Sequence, residues 1–483
     1  MDGSLSLYDF IKKRRGLILS GIVALAILLA PTPEPVKLAG ETIVLTPHGQ
    51  QMLALLAAFV VIFITEALPF GMTVAVVYVW IVAFGVLPYE EAAVIFSHDA
   101  AWFIMGALMI AVVLIKYDIH MRILAVILRI VGSSTQNVVL GIVAFSALAS
   151  VFIADHTVAA LMLPVGVAVV QINGGIEEVP NLAKLLMFSI AFGATVGGLS
   201  SPSGGGRNVL MIGFLNEFFN VRVGYGHWMV MALPITFVMI PILAYYLPRI
   251  FKPEVEDLSE AANRIQRELE RNKMGRKDWI VTIIFLITLF LWITRSHIYG
   301  IGTIAMFGTL LYIFFGLVDW EDLSKIHWGV VLLYFGVIGL GKALIDTGAS
   351  KWLASKALQI ISSFGIGSGY PLVFGSATFM SLVTQTMSDG PAVATMGPTF
   401  LELARIAGTD PIILGISLAI SSAFSFILVI GTPPNAIIYG SGYVNSKDFR
   451  KAGILLEIIA LALLFLIIYF WWGFLGVGIM GFH

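Results

Sequence analysis

Two aspartates stand at the start of matching segments in an otherwise apolar sequence. "ADHTVAALMLP" covers residues 154–164 and "SDGPAVATMGP" covers residues 388–398, and each places an aspartate nine residues before a proline. Carboxylate oxygens are good ligands for hard cations, so Asp155 and Asp389 could bind a coupling cation. Burial away from water could equally let them carry a proton. A third interpretation is structural, with each aspartate capping the first turn of a helix.

A fixed positive charge lies in a third polar stretch, "SPSGGGRN" at residues 201–208. Arg207 keeps its charge under all conditions. It could clamp a substrate carboxylate through two hydrogen bonds, replace a bound cation as a fixed counter-ion, or pair with Asp155 and neutralise both. His156 could donate to a substrate and titrate near neutral pH, or be a hydrogen-bonded core histidine.

The charges of this candidate site constrain its ligand. Two ionised aspartates and one arginine leave one net negative charge before any substrate arrives. A dianion entering that site would be repelled strongly in a medium of low dielectric constant. Cations or protons must therefore bind with the anion, unless the substrate is not a plain dicarboxylate.

The composition places these residues in a membrane. Of 483 residues, 59% are hydrophobic and 12% are charged, whereas soluble proteins carry about 25% charged residues. No charged residue occurs between Asp410 and Lys447 or between Asp278 and Arg295, and such runs can span about 30 Å of hydrocarbon. The sequence predicts an all-α polytopic membrane protein. A net charge of −1 does not suggest nucleic-acid binding, and the absence of cysteine excludes disulfides and thiolate metal sites.

Charged segments predict the organisation of the chain. "KKRR" at 12–15 indicates a cytoplasmic anchor for a first helix within residues 1–48. Residues 251–277 form a charged linker, which we expect to be cytoplasmic and to separate repeats at 49–250 and 278–483. The predicted location is the inner (plasma) membrane, with the C-terminus outside after an odd number of spans.

The two halves share a pattern of interruptions. "SGGGRN" (203–208) follows the first aspartate segment and "IGTPPN" (430–435) follows the second, and both end in asparagine. We predict a helical hairpin and a broken helix around 137–208 and again around 369–435. Paired interruptions of this kind mark the substrate site of secondary transporters, because broken backbone is tolerated at membrane depth only where it lines a cavity. An odd offset in span number would make the repeat inverted.

These features carry a family resemblance over nearly the whole chain after about residue 45. The segments that show it are "FITEALPFGMT" (63–73), "HDAAWFIMGALMIAVVLIKYDIHMRI" (98–123), "AALMLPV" (159–165), "SIAFGATVGGL" (189–199) and "IGTPPNAIIYGSGYV" (430–444). They resemble the divalent anion/sodium symporter family of dicarboxylate and citrate carriers, within the ion-transporter superfamily. The resemblance implies about 11 transmembrane helices in two inverted repeats, with two re-entrant hairpins. It also implies a homodimer with a scaffold domain and an elevator-type transport domain.

The resemblance assigns site residues through the family's motifs. Its two Ser-Asn-Thr motifs, which bind sodium and substrate carboxylates, fall on Ala154–His156 and Ser388–Gly390, where both asparagines are aspartates and both threonines are lost. Its first Gly-Thr-Pro-Pro-Asn loop falls on 204–208, where Arg207 replaces a proline, and its second loop, 431–435, is intact. These substitutions leave sodium stoichiometry and dicarboxylate specificity open.

Two sets of residues follow from this assignment. The predicted substrate contacts are Asp155, His156, Thr157, Gly205, Arg207, Asn208, Asp389, Gly390, Thr432 and Pro433. The predicted cation or proton positions are Ser150, Asp155, Gly198, Thr384, Ser388 and Asp389, with Na+ or H+ as the coupling ion and no organic cofactor.

The function predicted from the sequence is secondary active transport of small organic anions, with di- or tricarboxylates as the expected substrates, and not an enzymatic reaction. One alternative is a Na+/H+ antiporter with paired aspartates, and another is a cation-independent anion exchanger that uses Arg207 as a fixed counter-ion. An intramembrane aspartyl protease is disfavoured, because "ADH" and "MSDG" lack its Gly-Asp and Tyr-Asp pairs. The expected partners are a small anion, the lipid bilayer and a second copy of the chain.

Charged residues outside these motifs are assigned no part in the site. Glu66 is expected to be structural. Lys342 is expected to pair with Asp346 or to extend to the membrane surface, and Lys116 is expected to pair with Asp118 in the same way.

Overall fold

Apolar helices make up most of the chain in the computed structural model. The structure describes residues 7–38, 41–65, 67–95, 97–260, 263 and 274–477. The helices of the first half are α1 (Leu7–Leu29), α2 (Pro47–Thr65), α3 (Phe70–Ala83), α4 (Tyr89–Ile95), α5 (Asp99–Lys116), α6 (Ile119–Val131), α7 (Thr135–Ser150), α8 (Asp155–Ile172), α9 (Pro180–Gly198), α10 (Gly206–Phe218) and α11 (Tyr225–Ile250). Those of the second half are α12 (Arg276–Tyr299), α13 (Ile301–Phe314), α14 (Trp320–Leu323), α15 (Trp328–Asp346), α16 (Ala349–Ser362), α17 (Gly369–Thr384), α18 (Asp389–Ile406), α19 (Pro411–Ser422), α20 (Pro433–Gly440) and α21 (Ser446–Leu466).

One element departs from the predicted all-α class. Strands β1 (Val36–Leu38) and β2 (Glu41–Ile43) pair antiparallel, with Val36 opposite Ile43. Prolines at 31, 33 and 35 disfavour helix in the segment between α1 and β1. The β-branched residues Val36 and Ile43 are buried in the strand pair. Strands of three residues are too short to produce a periodic signal in a sequence.

Many of the helices can cross a membrane. Among the described residues, eight candidate spans have the required length and hydropathy: α2, α4 with α5, α8, α9, α11, α12, α15, and α21 with its π-helical continuation to Trp472. Four further apolar helices, α3, α7, α13 and α19, are shorter than the hydrocarbon thickness requires. The protein is therefore a multi-pass membrane protein, and the count of about 11 spans stays a prediction.

The two halves contain corresponding elements around two interruptions. In each, a helical hairpin is followed by a helix that breaks and resumes: α7–α8 precedes α9 and α10, and α17–α18 precedes α19 and α20. The resumed helix of each half packs against the other half, α10 on α18 and α19, and α20 on α8 and α9. Helix pairs of the two halves thus interlock around the two breaks, and the domain boundaries predicted around 137–208 and 369–435 stay a prediction.

Small residues set the position of the first hairpin. Gly193 and Gly197 of α9 face the backbone of α7, and a Cβ atom at Gly197 would overlap the carbonyl of Ala147. Such close backbone approach is how helices associate in a membrane, where apolar side chains gain little by leaving lipid. The C-terminal end of α7 is thereby held against the C-terminal end of α9, next to the two breaks.

Some of the residues singled out in the sequence lie outside the described ranges, and two of the expected ion pairs lie within them. Glu66 lies outside the described residues, as do 261–262 and 264–273 of the predicted linker and the C-terminal residues 478–483. The Lys342–Asp346 pair is confirmed, with Nζ and Oδ2 2.8 Å apart. The Lys116–Asp118 pair is wrong: Lys116 bonds instead to Asp322.

The reason for that difference is backbone geometry. Asp118 lies in the turn after α5 and has φ +52°. The Asp118 side chain is exposed. Lys116 in the first half instead donates to the carboxylate of Asp322 in α14 of the second half.

Candidate functional site

Each predicted aspartate is the first residue of a helix that begins after a break. Residues 151–154 separate α7 from α8, and Ala154 has an extended conformation with ψ 134°. The Asp155 Oδ1 atom accepts a hydrogen bond from the backbone N–H of His156 at 2.7 Å, and Asp389 Oδ1 accepts one from Gly390 at 2.6 Å. Negative charge is stabilised at helix N-termini by free N–H groups and the helix dipole. One oxygen of each carboxylate therefore has a hydrogen-bond partner within its own helix, and the other oxygen has none there.

Those other oxygens meet at one guanidinium group. Arg207 Nη1 lies 3.2 Å from Asp155 Oδ2 and also donates to Asp389 Oδ2. The three residues are 2%, 3% and 6% exposed, respectively. Of the roles considered for Arg207, a simple pair with Asp155 is incomplete, because the same nitrogen bridges the hairpins of both halves.

The rest of the guanidinium group is not used by the protein. Arg207 Nε and Nη2 are buried and have no hydrogen-bond partner among the described residues. These two nitrogens donate in parallel from one edge of the guanidinium plane, which is the edge that binds a carboxylate through two hydrogen bonds. Buried donors are rarely left unsatisfied. The arrangement is suited to a ligand with two acceptor oxygens.

A cavity of about 100 Å³ has Arg207 in its wall. Its polar wall comprises Asp155, His156, Ser203, Gly206, Arg207, Tyr334, Ser388, Asp389, Gly390 and Pro433. Four helices, α8, α10, α18 and α20, have residues of their first turn in this wall. Helix N-termini carry partial positive charge and free N–H groups, and they bind anions. The opposite wall is apolar and belongs to α5 and α15.

The chain matches a known family of membrane proteins over almost its whole length. Residues 12–478 match the family described as "Sodium:sulfate symporter transmembrane region". The chain belongs to this family. The match covers almost the whole chain and confirms the resemblance inferred from the motifs. Members of the family and the relatives below are membrane transporters, and the chain is accordingly a transporter and not an enzyme.

Similar proteins of known name are carriers of carboxylates. The "Sodium-dependent dicarboxylate transporter SdcS" of Staphylococcus saprophyticus is 25% identical over 482 residues, covering 94% of this chain and 90% of that protein. The SdcS protein of Staphylococcus aureus (strain USA300) gives the same identity and coverage.

Two solved structures share the fold. One is Neisseria gonorrhoeae MtrF, described as illuminating a class of antimetabolite efflux pumps, with a TM-score of 0.56, 12% identity and coverage of 96% of this chain and 94% of that chain. The other is the Alcanivorax borkumensis YdaH transporter, with a TM-score of 0.56, 12% identity and coverage of 95% and 96%. At this identity the likeness concerns the fold alone.

In this symporter-family chain the predicted site residues fall into two groups. Those that line the cavity are Asp155, His156, Arg207, Ser388, Asp389, Gly390 and Pro433. Those that lie elsewhere around the breaks are Ser150, Thr157, Gly198, Gly205, Asn208, Thr384 and Thr432. The second group supports the first: a Cβ atom at Gly205 would lie 3.0 Å from the Arg207 Cζ atom, so glycine leaves room for the guanidinium.

His156 retains both roles considered for it. Its Nδ1 atom lies 3.5 Å from Asp155 Oδ1, and its Nε2 atom is buried without a hydrogen-bond partner among the described residues. The ring packs edge-on against His327, with centroids 6.3 Å apart. The free Nε2 can therefore bind a polar group that enters the cavity.

The two breaks also offer oxygen ligands for cations. Ser150 Oγ and Asn208 Oδ1 in the first half, and Thr432 Oγ1 and Asn435 Oδ1 in the second, are buried acceptors without partners among the described residues. Nowhere in the described part of the chain do three or more His, Cys, Asp or Glu side chains cluster to hold a metal. A cation here would therefore take mainly neutral hydroxyl, amide and carbonyl oxygens, which are typical ligands of hard cations.

Sequence reasoning missed Tyr334, Ser203 and Gly206. Tyr334 lies in α15, is 4% exposed, and comes from the apolar run "VVLLYFGVIGL", where nothing in the pattern distinguishes it from a core aromatic. Its hydroxyl contacts Gly206 so closely that a Cβ atom there would overlap it. Tyr334 thus joins the α5–α15 wall to the first break.

This contact gives a prediction for two glycines. Gly206→Ala should abolish transport or destabilise the protein by about 1–3 kcal/mol, because overpacking forces backbone shifts. Gly390→Ala is the matched control, since its new Cβ atom would lie 3.8 Å from the same hydroxyl, an ordinary contact. Thermal unfolding of both variants checks this. Equal behaviour of the two variants would mean that Tyr334 does not constrain the first break.

Proposed function

We propose that this protein is a secondary active transporter that carries small organic anions with two or three carboxylates across the membrane, driven by Na+. The observation that carries the proposal is the buried Arg207 guanidinium in the cavity wall, which bridges both halves through Nη1 and has two further nitrogens, Nε and Nη2, without partners among the described residues. A fixed cation with a free two-donor edge at a junction of helix N-termini is suited to a carboxylate.

The substrate would be held from several directions. One carboxylate accepts from Arg207 Nε and Nη2, and the partial positive charge at the starts of α8, α18 and α20 stabilises the remaining oxygens. His156 Nε2 offers another polar contact. The apolar α5–α15 wall excludes water from the carbon chain and strengthens these charged interactions.

Sodium would balance the charge. The site carries one net negative charge when both aspartates are ionised, so a dianion needs bound cations to enter a medium of low dielectric constant. The unpartnered oxygens at the two breaks supply one candidate cation position in each half. The name of the SdcS relatives, sodium-dependent dicarboxylate transporter, supports this coupling by similarity.

The movement would be of the elevator type. We propose that the halves are inverted repeats, that the two hairpins are re-entrant, and that hairpins and broken helices move together past a scaffold containing α5 and α15. Support comes from the interlocked packing of α10 and α20 with the opposite hairpins, and from the apolar wall, along which polar groups make few contacts. We further propose a homodimer in the plasma membrane, with the N-terminus and linker cytoplasmic and the C-terminus outside.

One observation favours a second candidate, a cation-independent anion exchanger. Arg207 Nη1 lies between Asp155 Oδ2 and Asp389 Oδ2, where a bound cation could otherwise lie. The guanidinium would then be the permanent counter-ion, and exchange would need no Na+.

Uptake by purified protein in proteoliposomes tests both candidates. We expect labelled succinate to accumulate when an inward Na+ gradient is imposed and not when K+ replaces Na+ or when only a pH gradient is present. Succinate exchange at full rate without Na+ would favour the fixed counter-ion. Accumulation driven by the pH gradient alone would contradict sodium coupling.

A further inference from the structure

Glu457 is a buried carboxylate outside the substrate cavity. It lies in α21 and is 4% exposed. Its Oε1 atom accepts from the Ser381 hydroxyl, and Oε2 accepts from the backbone N–H of Phe426 at 3.2 Å. No Lys, Arg or His nitrogen of the described residues lies within 4.0 Å of it. Isolated charges at membrane depth are costly and generally functional.

The peptide that donates to Glu457 also faces the second break. A trans peptide directs its N–H and C=O to opposite sides. In the Ser425–Phe426 peptide the N–H points to Glu457, and the carbonyl accepts from Asn435 Nδ2 at 2.7 Å. Glu457 therefore lies behind a peptide whose carbonyl oxygen contacts Asn435, and the Oδ1 atom of Asn435 is one of the unpartnered acceptors of the candidate cation position. An ionised Glu457 would polarise this peptide and make its carbonyl oxygen a stronger cation ligand.

Among the described residues, no carboxylate bonds to the corresponding Gly198–Leu199 peptide of the first half. Asn208 donates to the carbonyl of Gly198, ten residues before it, just as Asn435 donates to that of Ser425. Thr236 stands eleven residues into α11, as Glu457 does in α21, and bonds to Val196 and Ser200 beside the first break. A neutral hydroxyl is thus sufficient to hold the first break.

The charges near the two breaks also differ. In the first, the Asp155 carboxylate lies beside Gly198. Arg207 contacts the Oδ2 atom of both aspartates, but in the second break no contact joins Asp389 to Ser425 among the described hydrogen bonds. The second break nevertheless contains two unpartnered buried acceptors, Thr432 Oγ1 and Asn435 Oδ1.

We propose that Glu457 is a positioning residue for a monovalent cation at the second break, acting through the Ser425–Phe426 peptide and supplying the negative charge that Asp389 gives to Arg207. This inference rests on the proposed sodium-coupled function. Groups that orient and polarise metal ligands typically change metal affinity 10- to 100-fold when they are removed.

Sodium binding to Glu457→Gln tests this role without transport. Thermal unfolding of the purified protein is measured over a range of NaCl concentrations, with choline chloride keeping the ionic strength constant. A ligand that binds the native state raises the unfolding temperature with the logarithm of its concentration, once that concentration exceeds Kd. We expect the Na+ concentration at which the unfolding temperature begins to rise to increase at least about tenfold in Glu457→Gln, while succinate affinity at saturating Na+ is unchanged.

Two variants keep the result interpretable. Asp448→Asn changes another buried acid of α21, which pairs with Lys184 at 3.0 Å, and should leave the Na+ dependence as in the wild type. If Glu457→Gln does not fold, Glu457→Thr, which introduces the residue type of the first half, takes its place with the same expected shift. Unchanged Na+ affinity in the folded variant would overturn the role of Glu457 alone. Absence of any Na+ effect in the wild type would instead overturn the proposed sodium coupling.

Discussion

Arg207→Ala is expected to lower the affinity for a dicarboxylate by about 2–5 kcal/mol, the usual loss when one partner of a buried hydrogen-bonded charge pair is removed. The change removes both unpartnered donors, Nε and Nη2, from the cavity wall. It also leaves the Asp155 and Asp389 carboxylates facing each other without the shared cation. Isothermal titration with succinate at saturating Na+ measures the effect.

Arg207→Lys separates the two roles of the arginine. Lysine keeps a positive charge that can neutralise the aspartates but lacks the planar two-donor edge. We expect Arg207→Lys to remain folded and to bind succinate as weakly as Arg207→Ala, which also lacks that edge. Arg405→Lys is a control, because Arg405 pairs with Glu402 away from the cavity. Near-normal binding by Arg207→Lys would show that charge alone is needed, as in the anion-exchanger alternative.

Removing the arginine and an aspartate together is expected to be milder than removing the arginine alone. Breaking a buried ion pair on one side costs about 3–5 kcal/mol of folding stability, because the remaining charge is uncompensated. Arg207→Ala should therefore unfold at a distinctly lower temperature than wild type, and adding Asp389→Asn should recover most of the loss. Asparagine preserves the oxygen that accepts from the Gly390 N–H.

The same cycle with Asp155→Asn shows how the charge is shared. Neighbouring groups deviate from additivity by about 0.5–3 kcal/mol, and Arg207 contacts both aspartates through one nitrogen. We expect each Asp→Asn change to rescue Arg207→Ala in part and the triple variant to be more stable than either double variant. Strictly additive losses would mean that the three charges do not interact.

Single Asp→Asn variants concern the coupling ion. Each change moves the net charge of the site from −1 to 0, so succinate should bind at lower Na+ concentration.

Much of the fold follows from the sequence because membrane helices leave strong local signals. Long uncharged runs predict spans, and the repeated Asp-to-Pro spacing and glycine- or proline-rich interruptions predict two hairpins and two broken helices. The aspartates at 155 and 389 begin helices as expected. The reason is local: an aspartate at the start of a helix accepts a hydrogen bond from the backbone N–H of the next residue.

Contacts between distant segments are not encoded locally. That one nitrogen of Arg207 bridges both aspartates depends on how α10 packs against α18. Tyr334 and Glu457 lie in apolar runs, and their roles depend on which neighbour they meet across the structure. The sequence pairs Lys116 with the nearest aspartate, Asp118, but Asp118 lies in a turn with positive φ and Lys116 bonds instead to Asp322 of α14.

The central claim is that the free edge of Arg207 binds a substrate carboxylate. An experimental structure with succinate and Na+ bound tests it most directly. The predicted result is a carboxylate within hydrogen-bonding distance of both Nε and Nη2, while Nη1 still bridges Asp155 and Asp389. Succinate bound away from the guanidinium, with Nε and Nη2 donating to protein groups instead, would contradict it.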